Sequence, residues 1–354
     1  MAAGGFLDMS KFTFEGKLID AISQMIFEDT VGAPDFNRFH TVYPGIVTNT
    51  EVGFIGEGSL VGVPDTGCNS QKQTWSINTR KLEWSPKTWE IYLQQCYTDL
   101  QNAATIYSLH TGVRIPDFTD TDYMNIVLEV LRKSVRDFMW RSTWFGDTAA
   151  ASATTGAVTA GVDVKYFNLL DGFWKQAITQ ATSNTEQRVT ISENAGESYA
   201  AQELGEDFDA FKILRGLVFG APIGLRGRED GVILTTQNFY DAYNMQLTNG
   251  VPNYTSRDIM DGVGSELRFN DIPVIAMPQW DKTIRAYFDN GTKYDNPTRA
   301  IYTSRAVLGV GVDSYDSFDN TEVWYNKEDK VVNMRMMGRL DAKLTNPDLF
   351  MIAI

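Results

Sequence analysis

Between Val47 and Pro86 the chain carries Gly53, Gly56, Gly58, Gly62 and Gly67, with a Pro64-Asp65 turn signal near the middle. Apolar residues alternate on both sides of that turn, Val52 and Phe54 before it, Trp75 and Ile77 after it. This pattern predicts a long, glycine-rich β-hairpin. Each half is roughly 20 residues, so at ~3.3 Å per residue the ribbon would reach roughly 60 Å from its base. A two-stranded ribbon alone is marginal in water, and its edges present unpaired backbone groups. Any fold that contains it must therefore cover it, either with its own body or with a neighbouring molecule.

The rest of the chain supplies a body. The first forty residues read as an arm with one amphipathic helix, in which Leu18, Ile19, Ile22, Met25 and Ile26 recur at steps of three and four before Gly32-Ala33-Pro34 ends it. Alone that helix buries little, so it is expected to lie on something else. Residues 87–110 are predicted as a helix with Trp89, Tyr92, Leu93, Cys96, Tyr97 and Leu100 on one stripe. After a break at Gly112 to Phe118 comes the clearest helix, Asp122 to Ser142. Its stripe is Tyr123, Ile126, Val127, Val130, Leu131, Val135 and Phe138, and Thr119 and Asp122 form a weak capping box. At ~1.5 Å per residue it spans roughly 30 Å. Ala149 to Gly161 is uncharged and rich in small residues, which suggests a junction.

A second region follows. Phe167, Leu170, Trp174 and Ile178 suggest a helix capped by Asp163, and Phe208, Phe211, Leu214, Leu217 and Val218 another, stopped by Gly220 and Pro222. Val232 to Thr235, Ile272 to Met277 and Arg299 to Thr303 read as strands, with a helix over Asn238 to Leu247. Alternating helices and strands imply an α/β or α+β unit of about 150 residues. The end returns to β: Val323 to Asn326, a polar turn, then a strand from Lys330 to Leu340, and an apolar tail, Leu349 to Ile354, expected to be paired.

Composition excludes several kinds of chemistry. With 31 Lys and Arg against 45 Asp and Glu, the net charge is −14, which does not suit a protein that grips phosphate backbones. The basic residues near one another on the long helix, Arg132, Lys133, Arg136 and Arg141, are interleaved with Glu129 and Asp137 and read as an ion-paired face. His40 and His110 are the only histidines, and Cys68 and Cys96 the only cysteines. They allow neither a disulfide framework nor a four-cysteine zinc site. The acidic runs Asp117, Asp120, Asp122 and Asp313, Asp316, Asp319 do not have EF-hand spacing and read as turn residues and caps. No nucleophile elbow or phosphate-binding glycine loop is found, and Gly309-Val310-Gly311 lacks the third glycine of a dinucleotide motif. No secretory signal and no apolar run of membrane-spanning length is seen. Neither a cofactor, a metal nor a catalytic residue is expected. Eight Trp and fifteen Tyr beside many carboxylates leave a carbohydrate-active enzyme as one alternative.

The order of parts resembles the major capsid proteins of tailed bacteriophages, the Hong Kong 97-like fold. So do particular stretches: Val232 to Tyr240, Phe269 to Ile275, Arg299 to Thr303, and the ending from Asp329 to Arg335 and from Asn346 to Phe350. The resemblance implies an α+β fold with an N-terminal arm (1–46), an extended hairpin loop (47–86), a peripheral domain with a long spine helix (87–160), an axial α/β domain (161–319) and return strands of the peripheral domain (320–354). It implies a structural protein, not an enzyme, that self-assembles into hexamers and pentamers of an icosahedral shell around double-stranded DNA, without specific DNA binding. Scaffolding, portal and decoration proteins are the further partners it implies, and the virion the location, with assembly in the host cytoplasm. The alternative within the same fold is an encapsulin-like compartment. Phe54, Gly56, Gly58, Gly62 and Trp75 of the hairpin, with Ile22 and Met25 of the arm, are the candidate inter-subunit contacts.

Overall fold

The structure, a computed structural model, describes residues 16–46, 51–55, 79–112, 120–151, 158–205, 209–250, 267–313, 318 and 321–354. The arm gives two helices, α1 (Gly16–Thr30) and α2 (Pro34–Phe39), and Pro34 stands in the first turn of α2, where a missing N–H costs nothing. Then come strands β1 (Thr41–Tyr43), β2 (Glu51–Ile55), β3 (Thr79–Glu83) and β4 (Lys87–Cys96). Helices α3 (Tyr97–Thr111), α4 (Asp120–Phe145) and α5 (Phe173–Ser183) follow. The next region holds β5 (Arg188–Val189), α6 (Asp209–Gly220), α7 (Ile223–Arg226), β6 (Gly231–Thr235) and α8 (Gln237–Gly250). It continues with β7 (Arg268–Phe269), β8 (Ile272–Ala276), α9 (Pro278–Tyr287), β9 (Ala300–Ser304) and β10 (Leu308–Val312). The chain closes with β11 (Glu322–Asn326), β12 (Val331–Leu344) and β13 (Met351–Ala353).

The base of the expected hairpin is present. β2 and β3 pair antiparallel, Val52 opposite Leu82 and Phe54 opposite Arg80, and join no other strand among the described residues. Residues 56–78, the outer part of that hairpin, lie outside the described residues.

The helix expected over 87–110 is half strand. β4 occupies its first ten residues, and the chain turns helical only at Tyr97. Trp89 is buried, Glu90 and Tyr92 are exposed, and Ile91 and Leu93 are half-buried, which is the period of two that a strand imposes. The helical spacing of Trp89, Tyr92, Leu93 and Cys96 loses to a ten-residue antiparallel ladder with β12, from Lys87 opposite Leu340 to Cys96 opposite Val331. Gly338 sits opposite Trp89, where a Cβ would stand 2.8 Å from the indole Cζ2. The far half of β12 pairs with β10, which pairs parallel with β1, so the arm's end is built into this sheet. β11 and β12 form the expected closing hairpin.

The second sheet has the order β5-β13-β9-β6-β8-β7. Its faces follow strict alternation. Val232, Leu234, Ile301 and Ile352 point to one side, against α5 and α9, while Ile233, Tyr302, Met351 and Ala353 point to the other, against α6 and α8. The apolar tail is paired as expected, but with β9 and β5 of this second sheet and not with the strands 320–344 that precede it. Asp163 caps a single turn, Val164–Tyr166, by accepting from the Lys165 N–H at 3.0 Å, and α5 starts only at Phe173. Of the expected junction at 149–161, Val158 is buried in the same apolar cluster that runs under both sheets, and Thr159 N–H donates to Tyr287 O at 2.7 Å.

α4 is the axis of that cluster. The single apolar stripe expected of it gives way, over its last two turns, to burial on nearly all sides: Met139, Trp140, Ser142, Thr143, Trp144 and Phe145 are all buried. Trp144 is ringed by Phe173, Trp174 and Trp280, with centroids 4.5–5.9 Å away.

Candidate assembly surface

The surface a chain offers to partners is what remains after its own elements have covered one another. Part of the arm is used in this way. α1 lies on α4, with Asp29 paired to Arg132 and Asp35 of α2 paired to Arg136. Arg132 and Arg136 of the long helix thus find their partners on the arm, Arg141 donates to Tyr166 O at 3.3 Å, and Asp137 pairs with Lys282 of α9 at 2.7 Å. The Ser23 hydroxyl donates to Phe318 O, and the Phe27 ring meets Phe318 at 5.2 Å.

His40 fastens the end of α2 to the same helix. It is fully buried between Phe36, Trp140, Trp144 and Phe173. Nδ1 donates to Phe36 O at 2.8 Å, and Nε2 accepts from the Trp144 indole N–H at 3.0 Å. Both bonds require the neutral ring with its proton on Nδ1. Burial, aided by the nearby Arg305 guanidinium, lowers its pKa from 6.5 to about 4. Arg305 Nε also donates to His40 O at 3.0 Å.

Of the candidate contact residues, Gly56, Gly58, Gly62 and Trp75 lie outside the described residues, while Phe54 stands on β2 and Ile22 on α1. Met25 packs, half-buried, against the chain's own main core. The residues that sequence reasoning missed are apolar and exposed: Ile106 and Leu109 on α3, Phe219 and Ile223 at the α6–α7 elbow, Met245 on α8, and Tyr92 and Trp324, whose rings stack 6.1 Å apart across the first sheet. Tyr92 donates to Asn333 Oδ1 at 2.9 Å, which fixes its ring. Beneath β4 a groove of about 740 Å³ opens against α4, lined by Ile91, Leu93, Phe138, Tyr166 and Leu169. Sequence does not set these positions apart, because an apolar residue reads as core: Tyr92, Leu93 and Phe138 lie on stripes expected to be buried.

The residues that could carry chemistry have structural roles. Burial raises the pKa of both Asp281 and Asp341, yet each serves as a cap: Asp281 accepts from the Gln237 N–H at 2.7 Å, and Asp341 from the Ser85 and Ala342 N–H groups at 2.7 and 2.9 Å. Asp313 accepts from the Arg339 N–H at 3.0 Å, a turn role. Asp117, Asp316 and Asp319 lie outside the described residues, as does Cys68. Cys96 is exposed at the start of α3 and His110 at its end, roughly 20 Å away by helix rise. Arg299 is buried against Phe145, Trp174 and Phe288 and donates to Asn296 O and Asp295 O at 2.7 and 3.1 Å. Among the described residues no group of three or more His, Cys, Asp or Glu could hold a metal, and no helix is long and apolar enough to cross a membrane.

No protein-family model matches the chain, and no curated protein matches it. Solved structures do. A chain of the satellite phage P4 procapsid that includes the size determination (Sid) protein aligns with a TM-score of 0.58 at 12% identity, over 96% of this chain and 91% of that one. The cyanophage A-1(L) capsid aligns with a TM-score of 0.47 at 12% identity, over 90% and 92%. The capsid of Myoviridae phage XM1 aligns with a TM-score of 0.46 at 11% identity, over 87% and 86%. The first of these likenesses establishes a shared fold: the chain has the mixed α/β architecture of a phage capsid protein.

Proposed function

We propose that this chain is the major capsid protein of a tailed bacteriophage, a structural protein of the Hong Kong 97-like type and not an enzyme. Copies close into hexamers and pentamers of an icosahedral shell that encloses double-stranded DNA in the virion. The observation that carries this reading is the fold shared with the P4 procapsid chain over 96% of this chain's length. The β2–β3 ribbon, which joins neither sheet among the described residues, supports it, since a two-stranded ribbon is marginal alone and gains burial from a neighbour. On this reading β4, α4 and β12 belong to the peripheral domain with its spine helix, and the six-stranded sheet to the axial domain. Scaffolding, portal and decoration proteins would be further partners.

The test is electron microscopy of the purified protein. Closed particles of uniform diameter are expected. A chain that stays monomeric at high concentration, with and without a co-expressed scaffolding protein, would sink the reading. The contents of such particles separate DNA packaging from an encapsulin-like compartment, whose shells would hold an enzyme.

A further inference from the structure

We propose that the α6–α7 elbow is a knob that enters a cleft at the opposite end of the second sheet on the next copy, joining subunits head to tail. This rests on the shell reading and names the surfaces that would join neighbours within one ring.

The knob is apolar and held in place. Phe219 is 54% exposed and Ile223 86% exposed, on either side of Gly220-Ala221-Pro222. Arg226 clasps the turn from inside, its Nε donating to Ala221 O at 2.7 Å and its Nη2 to Phe219 O. Below it, Leu225 is buried, and its carbonyl accepts from the Tyr302 hydroxyl at 3.2 Å. Gly220 presses on β13, where a Cβ would stand 2.6 Å from Met351 Cε. A well-anchored turn that still presents two large apolar side chains to water is preorganised for a partner, because little freedom is left to lose on docking.

The cleft has a volume of about 440 Å³, with Tyr199, Leu204, Met245, Tyr294 and Pro297 in its walls. Strand direction places it away from the knob. The elbow leads into Gly231, the first residue of β6, whereas the cleft is built where β6 ends. There Asn238 and Asp241 begin α8, and Pro297 precedes Ala300, the partner of Thr235. A knob at one end and a cleft at the other cannot satisfy each other within one subunit. Between copies they can join head to tail, and within a ring of the proposed shell that contact is heterologous.

Charge agrees with the pairing. Arg215 and Arg226 are exposed on the knob side against the exposed carboxylate of Glu229, while Lys212 and Arg228 are paired with Asp209 and Asp230, which leaves the flank net positive. The cleft lining carries Glu203 and Asp241, both exposed, against one cation, Arg285, which donates to Asn238 Oδ1 at 3.0 Å, so the lining is net negative. Basic flanks facing acidic walls fix orientation and speed encounter.

The test uses the full chain. Ile223→Asp should leave the subunit's melting temperature unchanged, because the side chain is exposed, and should cut particle yield, read by sedimentation and electron microscopy, about tenfold or more. Arg215→Glu alone and Glu203→Lys with Asp241→Lys should each lower the yield, and all three together should restore it. Shells from Ile223→Asp at wild-type yield overturn the proposal while leaving the shell reading intact, and so does a triple variant no better than its components. Wild-type chains that form no assembly overturn both.

Discussion

Lowering the pH from 7 to 4 should destabilise the unassembled subunit through His40 in particular. In the folded chain Nε2 accepts the Trp144 N–H, so a second ring proton would set two donors against each other inside an aromatic cage. The folded pKa is about 4 against an ordinary 6.5. Between those values the unfolded chain takes up a proton that the folded chain refuses. Stability therefore falls as the pH drops below about 6.5 and levels off below about 4. The interval of about 2.5 pH units corresponds to about 3 kcal/mol, at about 1.4 kcal/mol per unit. Urea unfolding of subunits at pH 7 and pH 4 measures it, kept at concentrations where assembly does not add to the apparent stability. His40→Gln is the control: its amide can donate to Phe36 O and accept from Trp144, but it does not titrate. The wild type should lose about 3 kcal/mol more than His40→Gln over that span. The carboxylates contribute alike to both chains and cancel in the difference. Equal pH slopes for the two proteins would refute the reasoning, and so would a wild type that loses less than the variant.

Three further outcomes follow from the same contacts. Gly338→Ala drives a methyl into Trp89 and should cost roughly 1–3 kcal/mol in denaturant unfolding, with the β4–β12 amides exchanging faster in hydrogen exchange. Arg299→Lys loses the planar group that stacks on three rings while reaching Asn296 O and Asp295 O, and should lower stability by roughly 2–4 kcal/mol in the same assay. Deletion of Gly56 to Gly67 should leave a soluble subunit with an unchanged circular dichroism spectrum per residue in its helical bands but abolish closed particles. Normal shells from the deletion, seen by electron microscopy, would remove the ribbon from the assembly scheme.

Local signals carried the long helix, the β6 and β9 strands and the closing hairpin, because each is a strong apolar or alternating run bounded by turn residues. They failed where two periods fit the same residues. Trp89, Tyr92, Leu93 and Cys96 satisfy a helix, and Trp89, Ile91 and Leu93 satisfy a strand; the ladder to β12, some 240 positions away, decides between them. The arm's partners were hidden for a similar reason. Asp29 and Asp35 meet Arg132 and Arg136 only after α1 and α2 fold onto α4, and nothing within either segment announces the other. His40 gave no sign at all, since its tautomer and its burial are set by Phe36, Trp144 and Phe173, which come from three different helices.

The candidate assembly surface was harder to read than the fold because burial in one chain and burial between chains leave the same apolar mark in sequence. Ile223 and Leu225 are both apolar residues in one short helix, yet one is exposed and the other wholly buried. Only the fold separates them. α1 and α2 are tied to their own spine by two ion pairs and the His40 bonds. Open surface remains at the groove beneath β4 and the elbow at Ile223, and the β2–β3 ribbon pairs with no other strand among the described residues. These lie on different elements of the subunit, so in a shell each subunit can be held by more than one neighbour at once. Loss of one contact would then weaken a closed shell more than it weakens a pair.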